Sequence, residues 1–480
     1  MKIGVVGAGP TGWATTKKLV DLGHKVTVIA TDTKPDELTK GSVSTRALSK
    51  KLLFGSDYPY RPFGYGPSHY QSGVNLSSSF ARAGLSLVWG ATMLPYSSKD
   101  IENWPLGISE LAAHYEYIGK HVPICGRLDA LETSYLPVFS RSPLLPSQRI
   151  LSLIERSNID KARITVGASR LAVESGVDGK SGCHYCGLCL NGCADNFIWS
   201  APLIDSHLVS YELGYRVIQM QMDCDTVSIN TLDTKGSERH FAGFDKVFLA
   251  TGPIESFRIL STSGLVERQA TLKDSATFFI PFLADPRLGS ASEYNHALAQ
   301  AFLRVESLNR NASQIQIYEY SDDLIPRAKR AFPLGNFVPN HLLKQLLSKL
   351  LVGIGYLHSA DSRGISMALT EDGNVELKPA GFSEIEQKHR IRRGIREVSK
   401  DLRKLGLFPI LPLVEFTKPG EGVHSGGWLP MGDKADILGT PNQARNIHLV
   451  DSSIFPSIPA GAITFSVMAN AVRIAEAVAS

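Results

Sequence analysis

A glycine-rich turn close to the start, Gly7-Ala8-Gly9-Pro10-Thr11-Gly12, dictates what the residues around it can become. Lys2 to Val6 before it is a short β-branched run. Thr11 to Leu22 after it has helical spacing and stops at Gly23, and His24 to Ile29 alternates as a second strand. G-x-G-x-x-G between a strand and a helix is the dinucleotide-binding arrangement. Gly7 permits the tight turn, Gly9 lets the backbone approach a pyrophosphate, and Gly12 packs the helix closely, while the helix N-terminus turns free N–H groups toward the phosphates. The ribose-binding acid belongs at the end of the second strand, where Ala30 stands; the nearest carboxylate is Asp32. Asp32 either serves from a shifted loop or is a solvated loop aspartate.

Composition narrows the class. The 480 residues are 43% hydrophobic and 20% charged, as in an ordinary globular chain, and the length predicts about three structural units. Fifty basic against 46 acidic residues give a net charge of +4, too weak over this length to draw nucleic acid or a membrane surface. The apolar run from Leu350 to Leu357 falls far short of the ~20 residues of a spanning helix, so no transmembrane segment is expected. Lys2 leads straight into a strand with no signal peptide pattern, and a cytoplasmic location is the expectation.

Further along, 35 to 90 is aromatic and loop-like, and Ser109 to Lys120 reads as a helix with Ser109 as N-cap. Strand signals return at Tyr215 to Met222 and at Lys246 to Ala250. Between about 270 and 415 the character changes, with a strand at Gln314 to Tyr320 and a cationic amphipathic helix at His341 to Leu351. The chain closes with a strand at His448 to Val450 and a helix from Ile463 to Val478 that returns to the first domain.

Four of the six cysteines crowd into one segment, Cys183-x2-Cys186-x2-Cys189-x3-Cys193. This is the bacterial-ferredoxin spacing for an iron–sulfur cluster, with Ala194 in place of the proline after the last cysteine. No second run exists. Cys193 folds back as the fourth ligand, Cys125 or Cys224 completes the set of a four-iron cluster, or three ligands hold a three-iron one. Structural zinc and an empty, reduced or disulfide-linked remnant are the competing readings.

Five separated blocks, in order, resemble the glucose–methanol–choline (GMC) family of FAD oxidoreductases. After the glycine turn come Ala83-Gly84-Leu85-Ser86-Leu87-Val88-Trp89-Gly90 and Asn103-Trp104-Pro105, similar to the family's flavin-side loop. Val247-Phe248-Leu249-Ala250-Thr251-Gly252 resembles its second FAD-contacting strand and turn. His424-Ser425-Gly426-Gly427-Trp428-Leu429-Pro430 resembles the catalytic-histidine block, and Asp451-Ser452-Ser453-Ile454-Phe455-Pro456 the flavin-contacting aspartate segment. The resemblance implies FAD held by Gly7, Gly9, Gly12, Asp32, Ser86, Trp89, Gly90, Val227, Thr251, Gly252, Asp451, Ala462 and Ile463, with His424 as the base. A neutral histidine suits removal of a hydroxyl proton; a structural histidine in a glycine-rich loop is the alternative. Gly426 and Gly427 are expected to leave room for a substrate. A last helix aimed at the flavin would stabilise negative charge on its reduced ring.

The implied fold is α/β: a Rossmann-like FAD-binding domain formed by 1–265 and 419–480, with a cysteine-cluster insertion at 180–200, and an antiparallel-sheet substrate domain at 266–418. The family's second active-site His or Asn corresponds to Ala462, which offers no proton-transferring group. The implied activity is a dehydrogenase oxidising an alcohol, of a sugar or glycoside, with electrons passing through the cluster to an external acceptor. Ser313 to Tyr320, with Ile354 to Ser359, are expected to form the sheet and rim facing the flavin, and Tyr318, Tyr320 and His358 are candidates for binding the sugar, against the plainer reading as core residues. A flavin-binding partner subunit without catalysis is the alternative function.

Overall fold

The computed structural model describes residues 1–34, 58–64, 69–159, 163–175, 182–185, 189, 199–290, 296–308, 310–319, 325, 329 and 337–480. The glycine turn sits where its spacing demands. Strand Ile3–Val6 leads into helix Pro10–Asp21 and then strand Val26–Ala30, which pairs in parallel with the first strand. Lys246–Leu249 and Ile447–Leu449 extend this sheet on one side and Val209–Leu213 on the other, giving five parallel strands. Parallel strands buried on both faces read as continuous apolar runs, and Ile3, Val5, Val6, Val28, Ile29, Phe248 and Leu249 are all buried. The C-terminal helix Thr464–Ala479 covers the sheet beside the first helix, tied to it by Lys18 and Glu476 at 2.8 Å.

A second body is a seven-stranded antiparallel sheet centred on Thr277–Ala284, Leu350–Tyr356 and Asn311–Tyr318. Its strands alternate. Phe278, Ile280, Phe282, Ile315, Ile317 and Leu351 point into an apolar core shared with helices Gln148–Ile159 and Glu384–Lys404. The opposite face looks back toward the parallel sheet. A smaller five-stranded sheet joins the two bodies: Gln269–Asp274 within it pairs with Ser425–Gly426. A three-stranded meander, Arg216–Asp223, Thr226–Leu232 and Glu238–Phe244, packs beside the parallel sheet. The architecture is two-domain α/β with an antiparallel second body, as the sequence implies.

Some elements differ from expectation. The helix around 110 runs Ile108–His121, and its N-cap is Gly107, whose N–H is bonded by the Glu110 carboxylate, not Ser109. The cationic helix spans only Asn340–Leu347; the apolar run after Lys349 becomes strand Leu350–Tyr356, because Gly353 and Gly355 disfavour a helix and the run is paired on both sides. Among the described residues no helix is long and apolar enough to cross a membrane.

Candidate active site

A cavity of about 770 Å³ runs from the glycine turn to the antiparallel sheet. The turn forms one end. Gly7 has φ +103, and a Cβ there would meet the Ala250 carbonyl oxygen at 2.4 Å. A Cβ on Gly12 would lie 2.0 Å from the Gly7 carbonyl oxygen, so helix and turn pack together only because both residues are glycine. Gly9 is different: the nearest atom to its ideal Cβ is the Ala83 carbonyl oxygen at 3.9 Å. Its constraint is therefore the open space of the cavity. Gly9 caps the helix without a side chain, so first-turn N–H groups lie free at this end. A dinucleotide pyrophosphate fits this cradle.

Gly7, Gly9, Ser86, Trp89, Gly90, Thr251, Gly252, His424, Asp451, Ala462 and Ile463 all line the cavity, although they are spread over more than 450 positions. Gly12 lies just behind it, in its packing role. Two expected residues lie off it. Asp32 is two residues past the strand end and pairs with Lys34 at 2.5 Å, while Ala30 and Thr31 face the cavity. Val227 belongs to the middle strand of the meander and is buried in the core; Val217, one strand over, is the valine that reaches the cavity, with Arg216 beside it. Arg216 is bidentate to Glu255, which also lines this end.

Asp451 is the knot of the strand-end turns. Its carboxylate accepts from Ser256 Oγ at 2.5 Å and from Ser453 N at 2.9 Å, and Ser256 is bonded to Thr251 at 2.8 Å. Burial pushes its pKa up, against these hydrogen bonds. The neighbouring loop is fixed by Ser86, whose hydroxyl donates to the Ala83 carbonyl, and by Trp89 packing against Trp199. At the other side of the cavity the C-terminal helix begins at Thr464 with no side-chain cap, so its N-terminal N–H groups face the space beside Ala462 and Ile463.

His424 stands where the two bodies meet. Its carbonyl accepts from Ser275 N, and its ring stacks on Tyr356 with centroids 4.9 Å apart and planes at 25°. Burial lowers its pKa to about 4, and Nδ1 has no hydrogen-bond partner among the described residues. The imidazole is therefore neutral near pH 7 and ready to accept a proton. The next residue, Ser425, donates to Asp274 at 2.6 Å, and Asp274 also accepts from Gly420 N at 2.9 Å. Asp274 is buried, which raises its pKa to about 6. Gly426 and Gly427 do not open substrate room. Their Cβ positions would meet the carbonyl oxygens of Ser452 at 2.2 Å and Phe455 at 2.5 Å, so they let the histidine block lie against the Asp451 segment.

The cavity's ceiling is the inner face of the seven-stranded sheet. Register sets Thr277 beside Tyr356, Phe279 beside Ile354 and Pro281 beside Val352, with Gln316 and Tyr318 opposite Ile354 and Val352 on the next strand. Tyr318 thus lines the cavity while also packing against the main core. His358 does not line it: its Nδ1 accepts from Ala360 N and caps a short turn. Tyr320 lies outside the described residues. Gln316 and Tyr356 lie in segments expected on the flavin-facing sheet but with no role of their own, and Asp274 escapes sequence reasoning; the alternation of Gln314, Gln316 and Tyr318 with Ile315 and Ile317 marks which of the strand's side chains share a face.

Of the cysteines, Cys183 and Cys189 are partly buried against the main core, and Cys125 is buried, which pushes its thiol pKa up, with nearby Cys183 adding to the rise. Cys186 and Cys193 lie outside the described residues. Among the described residues no set of three His, Cys, Asp or Glu side chains converges to hold a metal.

No protein-family model matches the sequence, and no curated protein matches it. Among solved structures, the chain is similar to pyridoxine 4-oxidase from Mesorbium loti. The TM-score is 0.63 and the identity 15%, and the alignment covers 99% of this chain and 98% of that one. The two share a fold over their whole length.

Proposed function

We propose that this protein is an FAD-dependent oxidoreductase of the GMC type that oxidises an alcohol. One observation carries the reading: the phosphate-type cradle at Gly9 and the neutral histidine at His424 open into the same cavity. The solved relative of the same fold is by name an oxidase of an alcohol, pyridoxine, which supports it. The glycine turn would hold the pyrophosphate, Ala30, Thr31 and Val217 would border the adenosine end, and the segment from Ala462 to Thr464 would face the ring. FAD, when bound, supplies the acceptor for the hydride removed from the alcohol carbon.

The chain's own part is positioning and proton transfer. His424 accepts the hydroxyl proton, and its low pKa keeps it unprotonated for that step over the neutral range. Tyr356 holds the ring flat by stacking. Ser275 and Ser425 fix the backbone on both sides of it. The free N–H groups at the start of helix Thr464–Ala479 present positive dipole to any negative charge that develops beside them.

We further propose that Cys183, Cys186, Cys189 and Cys193 hold an iron–sulfur cluster, on the spacing alone, and that the enzyme is a dehydrogenase passing electrons to an external acceptor. Iron and sulfide analysis of anaerobically purified protein tests the cluster; fewer than about three irons per chain overturns it. The family resemblance implies a sugar or glycoside, but the carbon-lined ceiling of the cavity favours an alcohol with an apolar body over that class. Ala462 favours one competing reading, a flavin-binding subunit without turnover. Anaerobic bleaching of the bound flavin by a panel of alcohols separates them: bleaching by any member supports the enzyme, and none supports the subunit.

A further inference from the structure

One strand of the ceiling carries a row of polar side chains bonded to one another. Gln314, Gln316 and Tyr318 alternate along Asn311–Tyr318, and both glutamines are only 2% exposed. Tyr318 Oη donates to Gln316 Oε1 at 2.9 Å, and Gln316 Nε2 donates to Gln314 Oε1 at 3.2 Å. The row spans the site. Tyr318 Oη lies 3.9 Å from the ideal Cβ position of Gly90, in the cofactor-side loop, and Gln314 Oε1 lies 3.1 Å from that of Gly461. Gly461 directly precedes Ala462, the position that offers no polar side chain.

We propose that Gln316 holds the substrate hydroxyl in the cavity it shares with His424, and that the site receives an alcohol whose remaining body is apolar. The proposal rests on the flavin-oxidoreductase reading given above. An amide nitrogen carries two N–H bonds, and Gln316 uses one on Gln314, leaving one for the cavity that the residue lines. Its carbonyl is occupied by Tyr318, so the amide is fixed at both ends and meets a substrate oxygen with little reorganisation. Gln316 thus offers a donor from the sheet, held through Gln314 against the segment before the last helix. Around it, Phe279, Pro281, Val352, Ile354 and Leu350 present carbon to the cavity. Glu319, also on the lining, is occupied by a buried pair with Arg149 at 2.8 Å and by Ser147. A sugar ring would lay several hydroxyls against those carbon side chains, which offer them no hydrogen bonds, and that costs binding.

The test uses the full chain loaded with FAD, with benzyl alcohol and methyl glucoside as probes in anaerobic rapid mixing. Benzyl alcohol is expected to bleach the flavin at a lower half-saturating concentration than the glucoside, and to raise the melting temperature of the loaded protein. Gln316→Leu keeps the flavin but lowers the limiting rate of bleaching about 10–100-fold and loses the melting shift. Tyr318→Phe, which removes one oxygen and no packing, lowers the rate about 3–10-fold and keeps the proposal testable should Gln316→Leu fold poorly. A merely structural role would lower the melting temperature and leave the limiting rate alone. Parental limiting rates in both variants overturn the role of Gln316. Benzyl alcohol leaving the flavin oxidised overturns the apolar class, whatever the glucoside does. Failure of the parent chain to bind FAD at all removes the flavin reading itself, and is seen before any alcohol is added.

Discussion

Gly9 and Gly12 are three residues apart in one motif, yet the structure gives them opposite sensitivities. At Gly12 a Cβ would sit 2.0 Å from the Gly7 carbonyl oxygen and 2.8 Å from its carbon. Ordinary contact begins near ~3.4 Å, so Gly12→Ala must push turn and helix apart by more than ~1 Å, an overpacking cost of about 1–3 kcal/mol or more. In a chain of this length each kcal/mol lowers Tm by about 2 °C or less. At Gly9 the ideal Cβ has 3.9 Å of clearance and φ is −74, which any residue adopts. Gly9→Val should therefore melt within about 2 °C of the parent in the absence of cofactor. Its side chain instead occupies the path of a pyrophosphate, and FAD affinity should fall at least ~100-fold. Thermal melts of the flavin-free chains and FAD titration by equilibrium dialysis read the two effects separately. Gly9→Val binding FAD as tightly as the parent, or melting as low as Gly12→Ala, refutes the reasoning.

Other outcomes follow from the same geometry. His424→Ala should keep FAD and fold but lose substrate-driven flavin reduction by at least ~100-fold at neutral pH, because no second base stands at Ala462; His358→Ala, off the cavity, should change neither rate nor affinity. His296, His424 and His448 are each lowered by burial from 6.5 to about 4, so between those values the unfolded chain binds three protons that the folded chain refuses. Asp274, raised to about 6, works the other way by one proton between its two values. The net excess on the unfolded side removes stability as pH falls, by at most about 3 kcal/mol per pH unit near pH 5, and Tm should drop on acidification from about pH 7. An unchanged Tm down to about pH 5 contradicts these buried neutral rings. As a dehydrogenase, the reduced protein should reoxidise slowly in air; fast, stoichiometric peroxide without added acceptor contradicts that.

The nucleotide end was legible because it is local. Strand, glycine turn and helix follow one another in sequence, and each glycine acts on residues within a few positions or on one facing turn. The ceiling was legible only in part: the strands through Gln314 to Tyr318 and Ile354 to Tyr356 are expected on the flavin side, but that Thr277 and its neighbours share their face is set by pairing register between segments far apart in the chain. That Val217 and not Val227 reaches the cavity has a similar cause: Val217 pairs with Thr231 and Val227 with Met222, at opposite ends of one hairpin, and only the packing of that hairpin decides which end meets the cavity. Helix Glu384–Lys404 goes unassigned from sequence although Ile391, Ile395, Val398 and Leu402 keep helical spacing and are buried, because its dense Arg, Lys and Glu mask the stripe. Gly426 and Gly427 show the limit of reading a glycine's purpose from composition. Their missing side chains admit backbone, not ligand.

The flavin assignment rests on the cradle at Gly9, and the most direct measurement is the cofactor released when the purified, unreconstituted protein is denatured and the supernatant is analysed by mass. The account predicts FAD, at about one equivalent per chain, and its loss from Gly9→Val. Release of a nicotinamide dinucleotide in its place, or failure of the chain to take up FAD when it is supplied, would contradict it.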